Sequence, residues 1–173
     1  IKYLSINKDS YNSVNLKTKV NEPHLLFYEG KIILNDNKGV IIKYSLSEKK
    51  KQIIYNFYKD NKKVKKLNKK LFMLIEGENL YVADNLGYFY KINLSKNKLI
   101  WAKNYLVPFR SEIKFYKTNI YLLNEKNVIY SIDSNSGNIN WKYKTQNSNL
   151  NTKFINSLTL KNDNLFVLNI LYP

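Results

Sequence analysis

Cysteine is absent from the 173-residue chain, histidine and arginine occur once each, and glycine and proline are scarce, at five and three residues. Without cysteine the chain cannot form disulfides, thiolate metal sites, iron–sulfur clusters or cysteine nucleophiles. Because His24 is the single imidazole, a histidine-rich metal site is excluded, as is any mechanism that needs two imidazoles. No apolar run approaches the roughly 18 residues of a membrane-spanning helix, so we expect no such helix.

Acidic residues are also few, since 13 Asp and Glu stand against 29 Lys and Arg and give a formal charge of +16. Nucleic-acid sites usually use arginine for bidentate contacts, and Arg110 is the single arginine. The lysines are scattered from Lys2 to Lys161 among many Asn, Ile and Tyr residues, which is the bias of an AT-rich genome. We therefore attribute the charge to genome composition and solubility and expect no nucleic-acid partner. A basic nucleic-acid-binding domain is the weaker alternative.

The densest charge run, Lys62–Lys70, has two interpretations. It could attract anionic lipid headgroups or nucleic acid. We favour a solvated linker whose charges protect the apolar strand 71–75 from edge pairing.

Motifs for phosphate, dinucleotide or metal binding are absent from the sequence, as is a Ser–His–Asp set. Four carboxylates recur at similar points of a repeat, which is typical of turns rather than of acid–base catalysis. They are Asp36, Asp84, Asp133 and Asp163. His24 is interpreted as a surface or packing histidine. We therefore expect no catalytic, cofactor-binding or metal-binding residues, no cofactor, and a protein that is not an enzyme.

What the sequence does contain is a repeat of roughly 40 residues. Apolar residues recur with spacings of 48, 40 and 45 at Ile32, Leu80, Ile120 and Leu165. Turn residues that tolerate positive φ recur with spacings of 48 and 40 at Gly39, Gly87 and Asn127. Trp101 and Trp141 lie 40 residues apart, and Ile53 holds the matching place 48 residues before Trp101.

Each repeat is typical of four short strands, because runs of Ile, Val, Leu, Tyr and Phe are broken by Asn, Asp, Gly, Lys and Ser. In the second repeat we predict strands at 71–76, 79–83, 87–92 and 98–103. Four-stranded units at this period indicate a β-propeller. The fold class is all-β, a partial β-propeller of about three four-stranded blades plus the start of a fourth. The blades are placed at about 24–62, 71–110, 111–150 and, in part, 154–173, within a propeller region 21–173. Residues 1–20 are interpreted as the end of a preceding blade or a linker.

One stretch, Ser131–Trp141, resembles the blade motif Ala-x-Asp-x-x-Thr-Gly-x-x-x-Trp of PQQ-like propeller repeats. Asp133 and Ser136 can hydrogen-bond the backbone of the turn, and Gly137 closes it. Trp141, on the outer strand, packs beside the next blade. A generic antiparallel sandwich is the alternative interpretation.

Two groups of proteins share these repeats. The PQQ-dependent alcohol dehydrogenases are eight-bladed enzymes whose pocket uses acidic calcium ligands, and this chain matches no part of that pocket. The BamB-type outer-membrane assembly lipoproteins are non-enzymatic scaffolds of the β-barrel assembly machinery. This chain is more similar to the BamB type, which implies a non-catalytic protein-interaction scaffold, periplasmic and associated with a bacterial outer membrane. A fragment of a PQQ-dependent dehydrogenase is the alternative.

The stretch Val107–Ser111 resembles the Leu-x-Leu-Arg-Gly stretch with which BamB-type proteins contact the barrel-inserting subunit BamA. Val107 and Phe109 take the two apolar places, Arg110 takes the arginine, and Ser111 stands in place of the glycine. The resemblance implies that Val107, Phe109 and Arg110 bind the partner, which would be BamA. An equally weighted interpretation is that Phe109 packs between blades and Arg110 pairs with a nearby carboxylate.

Three and a half blades leave exposed sheet edges. We therefore expect either an internal piece of a longer chain, consistent with its start at Ile1 rather than Met, or a homodimer that pairs through the open blade edges. The blade count of the parent protein and any signal peptide or lipid anchor before Ile1 stay open.

Overall fold

The computed structural model describes residues 2–5, 10–13, 16, 19, 24–145 and 157–168. Within these residues, three antiparallel sheets have four strands each, arranged in chain order, and two further sheets have two strands each. This all-β architecture of repeated four-stranded sheets confirms the predicted fold class. The one described helix is too short to span a membrane.

The N-terminal hairpin pairs β1 (Lys2–Ser5) with β2 (Ser10–Ser13). Blade 1 contains β3 (Leu26–Tyr28), β4 (Lys31–Asn35), β5 (Val40–Ser45) and β6 (Lys50–Asn56). After the single-turn helix α1 (Lys62–Lys65), blade 2 contains β7 (Leu71–Glu76), β8 (Asn79–Asp84), β9 (Tyr88–Asn93) and β10 (Lys98–Asn104). Blade 3 contains β11 (Lys114–Tyr116), β12 (Asn119–Leu123), β13 (Val128–Asp133) and β14 (Ile139–Lys144). The C-terminal hairpin contains β15 (Ser157–Lys161) and β16 (Asn164–Leu168).

The turn between the second and third strands is built the same way in all three blades. In each turn, one side-chain oxygen of an Asp or Asn accepts hydrogen bonds of 2.8–3.0 Å from two backbone N–H groups. These residues are Asp36 in blade 1, Asp84 in blade 2 and Asn124 in blade 3. The last residue of the turn has positive φ, at Gly39 (+80°), Gly87 (+95°) and Asn127 (+58°). Glycine adopts this conformation freely and asparagine tolerates it, which explains why these residue types recur at this place.

The core lies between the sheets, because alternate residues of each strand point to opposite faces. On β8, Leu80 joins the apolar cluster shared with blade 1, and Tyr81 joins the cluster shared with blade 3. Both are buried. A smaller cluster packs Ile129 of blade 3 against Leu158 of the C-terminal hairpin. The first strands of neighbouring sheets contact each other in two places, where β3 meets β7 and where β11 meets β15. This is expected for blades arranged around an axis.

The motif turn of blade 3 brings Asp133, Ser136 and Gly137 together. The Asp133 carboxylate accepts bonds from the Ser136 hydroxyl and N–H, both at 2.8 Å, and from the Asn135 N–H at 3.1 Å. These bonds, led by that of the Ser136 hydroxyl, hold the pKa of Asp133 below its ordinary value. Gly137 has a φ of +70°, and its N–H donates to the Asp133 carbonyl at 2.9 Å.

Trp101 of blade 2 packs on this turn of blade 3. Its indole N–H donates to the Ser134 carbonyl at 3.2 Å. A Cβ at Gly137 would lie only 2.8–3.0 Å from three atoms of the indole ring. Trp141, the equivalent residue of blade 3, is 44% exposed and lies against Tyr121 of its own sheet, with ring centroids 5.9 Å apart.

Ile53 is not the structural equivalent of Trp101, so that sequence assignment is wrong. Trp101 pairs with Lys91, whereas Lys43, which lies 48 residues before Lys91, pairs with Gln52. The irregularity in strand pairing falls before Trp101 in blade 2 but after Gln52 in blade 1. A bulge displaces every later side chain by one place. Trp101 follows the bulge of its strand, whereas Ile53 precedes the bulge of its own strand, so the two residues differ by one place. Ile53 is 60% exposed.

The lysine run between blades 1 and 2 is not a fully solvated linker. Lys69 is buried, and its ammonium donates to the carbonyls of Val64 at 2.6 Å and Leu67 at 2.8 Å. The same ammonium lies 4.6 Å from the ring centroid of Tyr58. Burial, followed by repulsion from Lys38, lowers the pKa of Lys69. The expectation of a solvated linker is therefore wrong for Lys69, because backbone carbonyls take the place of water as acceptors for its ammonium.

Candidate partner-binding loop

The loop 105–113 joins β10 to β11 and carries the residues predicted to bind a partner. Backbone hydrogen bonds fix it to the adjacent turns of two blades. The N–H groups of Tyr105 and Phe109 donate to Gly87 and Asp84 of blade 2, at 2.8 and 3.1 Å. The Arg110 N–H donates to Leu123 of blade 3 at 3.0 Å. The loop is therefore held in one conformation by both blades.

Gly87 is required beneath this loop. A Cβ at Gly87 would lie 2.9 Å from the backbone nitrogen of Val107 and 3.1 Å from its carbonyl oxygen. Gly87 therefore has two roles: it adopts the positive φ that its own turn requires, and its lack of a side chain lets the backbone of the loop pack directly against it.

Phe109 lies in the core, because its side chain has no exposed surface. It makes edge-on contacts with three aromatic rings at centroid distances of 5.6–6.2 Å, namely Phe89, Tyr105 and Tyr130. The prediction that Phe109 contacts a partner directly is therefore corrected to a packing role between blades 2 and 3. The role of the loop as a whole stays a prediction.

The exposed apolar residue of the loop is Leu106, which was not among the residues predicted from the sequence. It is 83% exposed and has a φ of +62°. That conformation is disfavoured for leucine, and the Leu106 N–H bond to the Asn104 side chain, at 2.9 Å, supports it. Val107 is half-buried against the cluster that contains Phe109. The sequence signal for this turn was Asn104, because an Asn side chain often accepts the N–H of the residue two places later, which here is Leu106.

Arg110 lies at the edge of the loop, and its guanidinium is 3.5 Å from the Glu125 carboxylate. Both side chains are about one-third exposed, at 32% and 29%. Ion pairs of this exposure contribute only about 0.2–1 kcal/mol to stability. The pairing with a carboxylate, which was the alternative interpretation of this arginine, is therefore present.

Ser111, which stands where the BamB-type stretch has glycine, is fully buried. Its hydroxyl donates to the Glu112 carbonyl at 2.9 Å and accepts the Leu123 N–H at 2.8 Å. The hydroxyl therefore ties the end of the loop to β12 and adds a side-chain anchor that glycine lacks.

A second group of titratable residues lies between blades 1 and 2, where the Tyr58 hydroxyl donates to the Asp84 carboxylate. Both side chains are buried. Burial is the main cause that raises the pKa of each group, and the proximity of Tyr90 raises that of Tyr58 further. The other carboxylate oxygen of Asp84 accepts the N–H groups of Leu86 and Tyr88, both at 2.8 Å. With its acceptors occupied and almost no exposed surface, this pair is a packed contact between the two blades.

His24 lies at the entry to blade 1, and its Nδ1 accepts the Met73 N–H at 3.2 Å. Burial lowers the pKa of His24, which agrees with a packing histidine. Among the residues that the structure describes, no three His, Asp or Glu side chains lie close enough together to hold a metal ion.

The chain matches the family model described as outer membrane protein assembly factor BamB over residues 61–169. No curated protein matches it significantly. Among solved structures, BamB from Moraxella catarrhalis is similar at 13% identity and a TM-score of 0.57, over 73% of this chain and 36% of that one. This chain therefore spans little more than a third of the length of that BamB.

Two further solved structures show the same fold. The computationally designed protein Ika4 is similar at 9% identity and a TM-score of 0.61, over 90% of this chain and 92% of that one. Quinohemoprotein alcohol dehydrogenase from Comamonas testosteroni is similar at 13% identity and a TM-score of 0.55, over 73% of this chain and 21% of that one. Because the family model covers more than half of the chain, and the repeated sheets agree with it, the chain belongs to the PQQ-like β-propeller family of the outer membrane protein assembly factor BamB.

Proposed function

We propose that this protein is a non-catalytic scaffold for protein–protein interaction in outer-membrane β-barrel assembly, and that it binds its partner through the loop 105–113. The observation that carries the proposal is the exposed Leu106, 83% accessible on a loop whose backbone is hydrogen-bonded to two blades. Membership of the BamB family supports the assembly role and a periplasmic, outer-membrane-associated location. We propose BamA as the partner.

A loop that is already ordered loses little conformational entropy when it binds. Leu106 supplies apolar surface, and Arg110, in the same loop, supplies a partly exposed side chain whose guanidinium can form bidentate hydrogen bonds. An apolar anchor next to an arginine is a common composition for the centre of an interface. Phe109 contributes indirectly, because its buried ring holds the loop in place.

The test replaces Leu106 with asparagine, which tolerates positive φ and therefore preserves the loop conformation. We expect Leu106→Asn to weaken binding to the periplasmic part of BamA about tenfold or more, since an interface anchor contributes about 1–2 kcal/mol or more. Binding is measured by biolayer interferometry with BamA from the same organism. The matched control is Leu67→Asn, an exposed leucine (47%) in the connection between blades 1 and 2, which should bind like the wild type.

Arg110→Glu is the second variant, and it should weaken binding further because it reverses the charge that faces the partner. If both Leu106→Asn and Arg110→Glu bind as tightly as the wild type, the loop is not the binding site. A saturable spectral change on addition of PQQ and calcium would instead support the dehydrogenase alternative and overturn the non-catalytic proposal.

A further inference from the structure

A cavity of about 370 Å³ lies in blade 1 and carries an excess of positive charge. Four lysines and one acidic residue, Glu48, contribute to its lining, which gives it a formal charge of +3. The lysines are Lys31, Lys43, Lys50 and Lys51, and two neutral polar residues, Ser45 and Gln52, lie among them. A cleft lined mainly by one sign of charge concentrates counter-ions, and this cavity therefore favours an anionic ligand.

Strand pairing brings three of these lysines to one face of the sheet. Ser45 of β5 lies opposite Lys31 of β4 on one side and opposite Lys50 of β6 on the other. Lys43 lies two residues before Ser45 on β5, so its side chain points to the same face. This is also the face of Ile33, which lies opposite Lys43 and packs in the cluster shared with blade 2. The sheet thus gathers lysines that are dispersed in the sequence.

The equivalent place in blade 2 is filled by an aromatic ring. There Trp101 lies opposite Lys91, and its indole packs on Gly137 of blade 3. In blade 1, Gln52 lies opposite Lys43. The side chain of glutamine is much smaller than an indole, so blade 1 has a polar cavity where blade 2 has its tryptophan.

The lysine of the third strand has acceptors in blade 2. The ammonium of Lys91 donates to the Ser134 carbonyl at 3.1 Å. Burial lowers the pKa of Lys91, and the charge of Asp133 in blade 3 opposes this shift. The residue 40 places before Asp133 is Asn93, which carries no charge. The lysine of blade 1 therefore lacks the carboxylate that compensates Lys91.

Three ammonium groups of the cavity are available to a ligand. In the part of the chain that the structure describes, the ammonium groups of Lys31, Lys43 and Lys50 form no hydrogen bond or ion pair. Lys31 and Lys43 are half-buried, so part of their hydration is already lost. Cations that are partly removed from water are stabilised by an anion whose oxygens accept their N–H groups.

We propose that this cavity binds a phosphate group, carried either by a soluble phosphorylated compound or by a lipid headgroup. A phosphate monoester has nearly two negative charges at neutral pH and three strongly accepting oxygens, which match the three lysine donors. Lysine binds phosphate as a point charge and does not need the planar geometry of arginine. The volume lies within the range of ligand pockets and leaves room for the group that carries the phosphate. A single cavity, unlike a basic groove that follows a backbone, does not suit a nucleic acid.

Two binding experiments distinguish the sources of the phosphate. Isothermal titration calorimetry with glucose 1-phosphate tests a soluble ligand, and glucose is the uncharged control. Co-sedimentation with phosphatidylcholine vesicles, with and without phosphatidic acid, tests a headgroup. Both use about 0.15 M salt, which screens diffuse attraction between exposed charges. We expect saturable binding of glucose 1-phosphate or of the vesicles that contain phosphatidic acid, and the active probe identifies the source. Binding in neither experiment would overturn the proposal.

Charge variants locate the ligand in the cavity. Lys43→Gln and Lys50→Gln should each weaken binding about tenfold or more, because each removes a charged hydrogen-bond donor. The matched control is Lys98→Gln, since Lys98 is exposed and holds the place of Lys50 in blade 2. This control should bind like the wild type, and Glu48→Gln should bind more tightly because it removes the opposing charge. Equal losses for Lys50→Gln and Lys98→Gln would show diffuse attraction to a basic surface and overturn the site.

A further variant fills the cavity and leaves every charge in place. Gln52→Trp supplies the residue that blade 2 has at this point, and it should weaken binding about tenfold or more. Far-UV circular dichroism checks that the variant is folded. Unchanged affinity in a folded Gln52→Trp protein would place the ligand elsewhere and overturn the proposal. If this variant does not fold, the exposed substitution Lys50→Gln still decides the outcome.

Discussion

The contact of Trp101 with Gly137 should make replacement of Gly137 by alanine more costly than the same replacement at a glycine in open space. Gly137→Ala introduces a Cβ 2.8 Å from the indole ring of Trp101, at a residue with a φ of +70°. Gly30 has a φ of +71°, and a Cβ added there would meet no atom within 4 Å. Gly30→Ala therefore carries the same backbone cost without the contact, and serves as the matched control.

The expected size of the effect has two parts. Alanine in the left-handed region costs about 1–2 kcal/mol of stability at either position. At Gly137 the indole must also move, which breaks the 3.2 Å bond from its N–H to Ser134 at a cost of about 0.5–1.5 kcal/mol. Weakened contact between the Trp101 ring and its aromatic neighbours adds about 0.5–1.5 kcal/mol. Gly137→Ala should thus lose about 1–3 kcal/mol more than Gly30→Ala.

The free energies of unfolding are measured by urea denaturation followed by far-UV circular dichroism. In a Trp101→Leu background, where the ring over the glycine is gone, the excess loss at Gly137 should fall by more than half. If Gly137→Ala and Gly30→Ala lose the same free energy within about 0.5 kcal/mol, the blade contact does not contribute as argued.

Two further predictions concern buried charged groups. Asp84→Asn should cost less than about 1 kcal/mol at neutral pH, because Asn124 forms the same turn in blade 3. Burial raises the pKa of Asp84 in the folded protein above its value in the unfolded chain. As pH rises through the range between these two pKa values, the wild type should therefore lose stability, because its unfolded state releases the proton first. The Asp84→Asn variant has no carboxyl group at this position and should not show this loss. An equally steep slope for Asp84→Asn in urea titrations across this range would refute this. Lys69→Met should cost about 1–3 kcal/mol, since it removes the ammonium that donates to the Val64 and Leu67 carbonyls. The exposed control Lys66→Met should stay within about 0.5 kcal/mol of the wild type, and equal losses for the two variants would contradict this role of Lys69.

The blade pattern was largely readable from the sequence, because the signals for strands and turns are local. Predicted strands of the second repeat agree with β7–β10 to within one residue at each end. The conformations of Gly39 and Gly87 follow from residue type, since few residues other than glycine adopt positive φ. The assignment of Ile53 was wrong because a bulge changes the register without a change in spacing.

The loop could be located but not oriented from its sequence. The sequence shows an apolar pair, Val107 and Phe109, beside Arg110. It does not indicate which of these side chains points inward. The rings of Phe89 and Tyr130, supplied by two different blades, enclose Phe109. Leu106 is left outside because its positive φ turns the chain there.

The sequence by itself determined the strands, the turns and the period of the repeat, because each depends on residues close together along the chain. The tertiary structure alone decided which residues are accessible. The indole of Trp101 donates to Ser134, 33 residues later in the chain, and the ammonium of Lys69 finds its acceptors in the connection between blades 1 and 2. Burial depends on which sheets face each other, and that arrangement is set by packing between blades rather than by any local pattern.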